Sequence, residues 1–408
     1  MASNIDTSKP TAGTATTLSV RQNFQYAKDE IEALQNLVST AQADADTAQA
    51  AAATAQAAAD AAQAAADTAQ ATADAAAADI LVLQAQTESL INQDKNSSLS
   101  LWHVASTPAD NAYVDICWAE SLDLFCAVAN SGTGNRIMTS PNGTDWTSRT
   151  NSVGNTFTAI CWSPHISLFC CVAQSGVGNR VMTSPDGINW TTRTSASDSN
   201  WLDVCWDSTN NLFIAVSGNA VATAIMTSPD GINWTNRTAS LAGAWKSIAH
   251  SPSLGLSVIV SQATSSGFVM TSPDGINWTT RTAANTNQWN GVEWAEFLGL
   301  FIAVAQTGTG NRVMTSPDGI NWTARKSANN YLWTNLAVSE SAGVIVAVGN
   351  SVANLSIMTS LNAIDWTLQN SVTTNGLQAV AWSESLKRFA IVGNAGTGIR
   401  AMISEKIL

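Results

Sequence analysis

The sequence is short of charge. Asp, Glu, Lys and Arg supply 12% of its 408 residues, about half the share usual for soluble proteins, which argues against a uniform globular enzyme. Basic residues are scarcer still. Lys and Arg number 18 against 30 for Asp and Glu, giving a formal net charge of −12, so no positive surface is available for nucleic acid or an anionic bilayer. No apolar tract approaches the roughly 20 residues that cross a membrane, and the first residues, MASNIDTSKPTAG, lack a basic region followed by an apolar run. Neither a nucleic-acid partner nor membrane insertion is expected. Only three histidines are present, His103, His165 and His250, and the six cysteines form no CxxC pair; no zinc site is expected. A phosphate loop and a GxGxxG turn are also missing, and no cofactor is implied. Architecture is therefore the place to look for function.

Two kinds of sequence meet near residue 95. Residues 1–23 are rich in Ser, Thr and Ala and open without a period, which predicts an extended arm ordered by a partner. From Phe24 a heptad runs unbroken through residues 24–90, its two seam positions apolar throughout except at Thr87. Between residues 41 and 76 every seam position is alanine, with Ile31, Leu34 and Val38 before the alanines and Ile80, Leu83 and Leu90 after them. This predicts an Ala-rich coiled-coil stalk over 24–95, a thin parallel rod. Glutamine recurs every seven residues from Gln42 to Gln70 beside the seam, placed for amide bonds between helices. A lone alanine helix buries too little surface to stabilise itself, so homo-oligomerisation through the stalk is expected.

Residues 96–408 are an internal repeat. Methionine falls at 138, 182, 226, 270, 314, 358 and 402, a period of 44 residues. The segment MTSPDGINWT is intact at 182–191, 226–235, 270–279 and 314–323, and looser at 138–147 and 358–367. Each unit holds four short runs rich in β-branched and aromatic residues separated by turn chemistry, the content of one propeller blade. The seventh unit stops before its tryptophan, yet Trp102 lies 44 residues ahead of Trp146. The strand around Trp102 is thus expected to supply the missing last strand and close the ring, since closure removes both free edges. The fold class predicted is an all-β seven-bladed β-propeller preceded by the helical stalk.

In the repeated turn, proline presets φ, the carboxylates of Asp186, Asp230, Asp274 and Asp318 accept from turn amides, and glycine takes positive φ. These four aspartates are expected to be structural. The turns between second and third strands differ from blade to blade, as in NSGTGNR from Asn130, GNAVATA from Gly218, QATSSGF from Gln262 and GNSVANL from Gly349, and variation on a regular scaffold is where recognition tends to sit. At the start of each first strand stand Tyr113, Phe157, Trp201, Trp245, Trp289, Trp333 and Leu377. Tyr113, Trp201, Trp245, Trp289 and Trp333 are candidates for an exposed ligand-stacking crown, with Asp115, Asp203, Glu293 and Asn335 as hydrogen-bonding neighbours. The competing role for the rings is packing between blades. The repeating cysteines read as small core residues, and His250, which replaces a repeating tryptophan, as a packed imidazole.

The S-x-D-G-x-x-W segment resembles a shortened Asp-box of sialidase-type propellers, which implies a rim turn away from any pocket. The arginine cluster and tyrosine nucleophile of a sialidase are lacking. Arg149, Arg193, Arg237, Arg281 and Arg325 repeat with the blade, and symmetric residues build scaffold, so no enzyme is expected. The whole layout, from NIDTSKPTAGTATTLSVRQNF through the alanine rod to the β-rich knob, resembles bacteriophage fibre proteins. That resemblance implies a trimer on the virion, attached to a tail or capsid protein by its amino end and adhering to a host-surface glycan or protein through the propeller. The alternatives left open are a decoration fibre without receptor binding and a glycan hydrolase using the central funnel.

Overall fold

A computed structural model describes residues 17–263, 268–350, 355–373 and 375–407 of the chain. Among these residues the chain forms one long α-helix, Thr17–Leu99, and seven four-stranded antiparallel sheets. Two compact units result, Met1–Leu90 and Ile91–Leu408.

The helix forms because residues 17–99 contain no glycine or proline and are dominated by alanine, the residue that loses least on entering a helix. It begins earlier than the sequence pattern suggested. Residues 17–23, expected in an extended arm, are helical; this stretch has no breaker, and the turn that starts at Phe24 simply propagates backward. The rest of the arm, 1–16, lies outside the described residues. Within the helix Gln42, Gln56, Gln63 and Gln70 donate to the Asp four residues on, at 2.7–2.8 Å, the spacing at which helix side chains meet. No helix among the described residues is long and apolar enough to cross a membrane.

Each blade runs outward through four strands, as in Phe157–Ser163, Leu168–Ala173, Val181–Ser184 and Thr191–Arg193. The second and third strands are buried on both faces between neighbouring blades, which is why the second, as in LFCCVA, reads as an unbroken apolar run rather than an alternating one. Phe169, Phe213, Phe301 and Phe389 fill these seams completely buried.

The ring closes as the 44-residue arithmetic predicts. Trp102–Ser106 pairs antiparallel with Ile399–Ser404, with Trp102 opposite Ser404 and Val104 opposite Met402. Trp102 is 3% exposed and packs with Leu377, Phe389, Met402 and Ile407, while its Nε1 donates to the Leu99 carbonyl at 2.8 Å. The seam between last and first blades is continuous, with Ala390, Val392 and Ile403 against Tyr113, Phe125 and Met138.

The repeated outer turn is stitched by one carboxylate. Asp186 Oδ1 accepts from the amides of Ile188 and Asn189 at 2.8 and 2.7 Å and from the Ser184 hydroxyl at 2.9 Å. Asp230, Asp274 and Asp318 repeat the arrangement, and Trp190 Nε1 donates to the Gly187 carbonyl. Gly187 sits at φ +70°, and a Cβ there would lie 3.0–3.3 Å from Leu124 and Thr139 of the preceding blade and Phe169 of its own. In the sixth blade Ala363 holds the same left-handed conformation at φ 60°. The repeating fourth-strand arginines, from Arg149 to Arg325, donate Nε to the third-strand threonine hydroxyl of their own blade; they are framework.

Removing the Trp102 ring leaves a void where two blades meet. Trp102→Ala is expected to destabilise the propeller by about 3–5 kcal/mol, the usual cost of truncating a buried aromatic to alanine, read as a lowered midpoint in chemical denaturation followed by tryptophan emission.

Candidate functional site: the axial channel

The first strand of every blade carries a bulge just after its opening residue. The register shifts between Tyr113 and Asp115, and at the equivalent place in the other six blades. A bulge re-aims side chains at a ladder's end, and the chain places its variable residues there. The bulged positions read Val114, Thr158, Leu202, Lys246, Asn290, Thr334 and Gln378, and all seven line one cavity of about 330 Å³ on the axis. Several also tie blades together. Thr158 Oγ1 donates to the Trp201 carbonyl at 2.7 Å, and Asn290 Nδ2 to the Trp333 carbonyl at 3.0 Å.

An amide ring surrounds this cavity. The column at the end of the second strands reads Asn130, Gln174, Gly218, Gln262, Gln306, Asn350 and Asn394, and Asn130, Gln174, Gln262, Gln306 and Asn350 line the cavity. Gln262 donates to Asn290 Oδ1, and Gln306 Nε2 donates to Gln288 Oε1 at 2.6 Å. Only Lys246 brings a full positive charge to this lining.

One residue deeper the ring reads Asp115, Ala159, Asp203, Ser247, Gly291, Asn335 and Ala379. Asp115, Asp203, Ser247 and Asn335 line both this cavity and a second one of about 500 Å³ on the same axis, and so mark a waist. Their inner oxygens receive an amide from the next blade: Asp115 from Ile160 N at 2.7 Å, Asp203 from Ile248 N at 2.9 Å, and Asn335 from Val380 N at 3.3 Å. Glu293 lines the second cavity, at the position held elsewhere by Cys117, Cys161, Cys205 or alanine.

Three carboxyls in one narrow channel cannot all ionise cheaply. Desolvation, and then the negative charge of Asp203, push Asp115 up to about 8. Desolvation, then Asp203 and Asp115, push Glu293 to about 8. Asp203 is raised by desolvation and held back by the Ile248 amide and the Ser247 hydroxyl. Burial and mutual repulsion thus favour the protonated forms of Asp115 and Glu293 near neutral pH. The six thiols are free; burial raises Cys117, Cys126, Cys161, Cys170, Cys171 and Cys205 and keeps them unreactive.

The expected crown of rings does not form. Tyr113, Trp201, Trp245, Trp289 and Trp333 are all 0% exposed, because the strand turns each ring sideways into the seam with its neighbour. Their polar companions Asp115, Asp203, Glu293 and Asn335, by contrast, converge on the axis. The variable turns at Gln262 and Gly349 run into 264–267 and 351–354, outside the described residues. The amide ring, the bulge ring with Lys246, and Ser247 escaped the sequence reading, although the first is visible as an Asn/Gln column at 44-residue spacing.

A second departure from symmetry flanks the lower cavity. His250 stands where five of the other six blades have tryptophan, Ser257 where most have phenylalanine, and Asp207 where neighbours have Ser or Ala. The three exchanges are mutual: His250 Nδ1 meets Ser257 Oγ at 3.1 Å, His250 Nε2 lies 3.3 Å from Asp207 Oδ1, and Thr209 Oγ1 is 3.0 Å from Nε2. Asp207 and Ser257 are fully buried. Desolvation, offset in part by Asp207, lowers the His250 pKa. Among the described residues no group of three or more His, Cys, Asp or Glu is arranged to hold a metal.

No family model and no curated protein matches this chain. Solved structures do. Virginiamycin B lyase from Staphylococcus aureus, in selenomethionine form, superposes with a TM-score of 0.61 at 10% identity over 76% of this chain and 99% of its own. A streptogramin B lyase structure gives 0.62 at 9% identity, over 75% of this chain and 97% of its own. At that identity the likeness establishes the propeller fold. It also corrects two expectations: both of these structures are lyases, so the fold does not mark a phage fibre that adheres to a host surface, nor does it mark a protein without catalytic activity. The glycan hydrolase alternative gains no support from them either. Fold and function are separable, and the fibre reading leaned on the overall layout of stalk and knob.

Two outcomes follow for stability. The axial acids bind protons more tightly folded than unfolded, so their contribution is fully present below about pH 4 and is lost as pH rises towards about 8. The turn acids Asp186, Asp230, Asp274 and Asp318 behave oppositely. Partial burial alone would raise them, but the amide hydrogen bonds of the turn hold them at about 2, so their contribution is present above about pH 4 and is lost as pH falls through 2. Thermal midpoints of Asp115→Asn/Glu293→Gln should therefore flatten the decline between pH 4 and 8 and leave the acid limb unchanged. Restoring the repeat with Asp207→Ser/His250→Trp/Ser257→Phe is expected to be neutral or stabilising by about 1–4 kcal/mol, as when buried polar clusters are replaced by packed apolar ones, whereas His250→Ala alone destabilises.

Proposed function

We propose that the propeller takes a small polar molecule into its axial channel and performs proton-transfer chemistry on it, with Asp115, Asp203 and Glu293 as the acid and base groups. One observation carries this reading: the three carboxyls are departures from a seven-fold repeat, and they converge on one place. A scaffold alone is served by alanine, which the same columns supply at Ala159, Ala379, Ala249, Ala337 and Ala381. Asp115 and Glu293, raised to about 8, share the channel with Asp203, whose rise is opposed by hydrogen bonds from an amide and a hydroxyl; carboxyls in differing environments are the pairing that lets one group protonate while another abstracts. The amide ring offers donors and acceptors to an uncharged ligand, and Lys246 offers a counter-charge for an anionic group.

The lyase names of the two structural neighbours favour elimination, in which a base removes a proton and an acid serves the leaving group. The test is a set of small β-substituted carboxylic acids and amides, with the conjugated alkene product followed by ultraviolet absorbance. Turnover in the full chain, reduced about 10²–10⁴-fold by Asp115→Asn, Asp203→Asn or Glu293→Gln with binding retained, is the expected result. Turnover that survives all three changes together, or a complete lack of any substrate that raises the melting midpoint or reacts, would sink the proposal.

A further inference from the structure

The helix Thr17–Leu99 carries large apolar side chains with nothing against them. On the seam of its heptad, Phe24 is 73% exposed, Leu34 58%, Val38 68%, Leu83 60% and Leu90 66%, with Ile31 and Ile80 exposed similarly. The polar residues avoid this line: Thr87 is the only polar seam residue between 24 and 90, and the Gln–Asp pairs lie to one side. Most helical stability in proteins comes from packing of an apolar face, and the seam residues from Phe24 to Leu90 named above leave theirs open.

We infer that this seam is covered by the same seam of another copy of the chain, parallel and in register. The area fits. Seven large apolar side chains at roughly 60–120 Å² apiece come to about 400–800 Å² per helix before the alanine layers are added, against about 800 Å² per partner in a stable interface. A copy of the chain is the occupant because the seam matches itself. In parallel register each large residue meets its own counterpart, alanine layers meet alanine layers, and the narrow central stretch is narrow in both helices at once. The best antiparallel overlap, which sets residue 31 against 83, also matches Phe24 with Leu90 and Leu34 with Ile80, but it leaves Val38 over Ala76 and Thr87 over Ala27; the parallel register sets every large seam residue against a large one.

The experiment is sedimentation of the full chain, together with Leu34→Asp/Leu83→Asp and the single substitution Ala41→Cys. All 16 tryptophans lie at residue 102 or beyond, so their emission reports propeller folding independently of the helix. The expected result is a mass of two or more copies, reduced to one copy in the double aspartate variant with tryptophan emission unchanged, and a disulfide-linked species from Ala41→Cys on mild oxidation. The native thiols, raised by burial, give little background. A single-copy mass for the full chain, an unchanged mass for the double variant, or an oligomer in which Ala41→Cys fails to cross-link would each overturn it. None of these outcomes depends on the channel chemistry proposed above.

Discussion

The pairing of Trp102–Ser106 with Ile399–Ser404 joins the two ends of the propeller sequence, and the other features of the domain presuppose it. Were that edge open, both terminal blades would present unpaired backbone, and the seam of Tyr113, Phe125 and Met138 against Ile403 would lose one wall. Closure also fixes what the axis can be. Seven first strands held at equal angles leave a channel too wide to fill with backbone, and the side chains of seven bulges become its lining.

Within that frame, chemistry is a matter of where repetition fails. The outer turns scarcely vary, and their aspartates are tied up by amides of their own turn. The inner columns change from blade to blade, and the titratable residues gather there. Asp115, Asp203 and Glu293 each take the place that a neighbour fills with something inert. His250, Ser257 and Asp207 show the same logic in a buried setting, where one polar exchange in a packed seam is tolerable only if its contacts change with it.

The repeat made the fold readable. Period, blade number and the closing strand all follow from methionine and tryptophan positions, because each blade needs the same residue at the same depth. Part of the site was readable for a different reason: Asp115, Asp203, Glu293 and Asn335 stand out as polar letters in apolar columns. The rings beside them misled, since a first strand with regular alternation and one with a bulge look alike in sequence. The bulge sends the residue after the ring to the axis and the ring itself into the seam, which hides Trp201 and displays Lys246. The helix start was misjudged by a few residues because Ser and Thr signal a loose arm until a breaker-free stretch follows them. The fibre reading failed on other grounds, since it was carried by the general layout of rod and knob and by no residue of the propeller.

Because the ring is sealed inside a blade rather than between blades, its arithmetic is forgiving. Loss or gain of one 44-residue unit by unequal crossover leaves the Trp102 strand facing the same partner and every junction between blades of the same kind. Near-identical MTSPDGINWT copies are the stretches of coding sequence where such exchange would begin. The architecture thus leaves blade number open to evolutionary change, and with it the diameter of the axial opening.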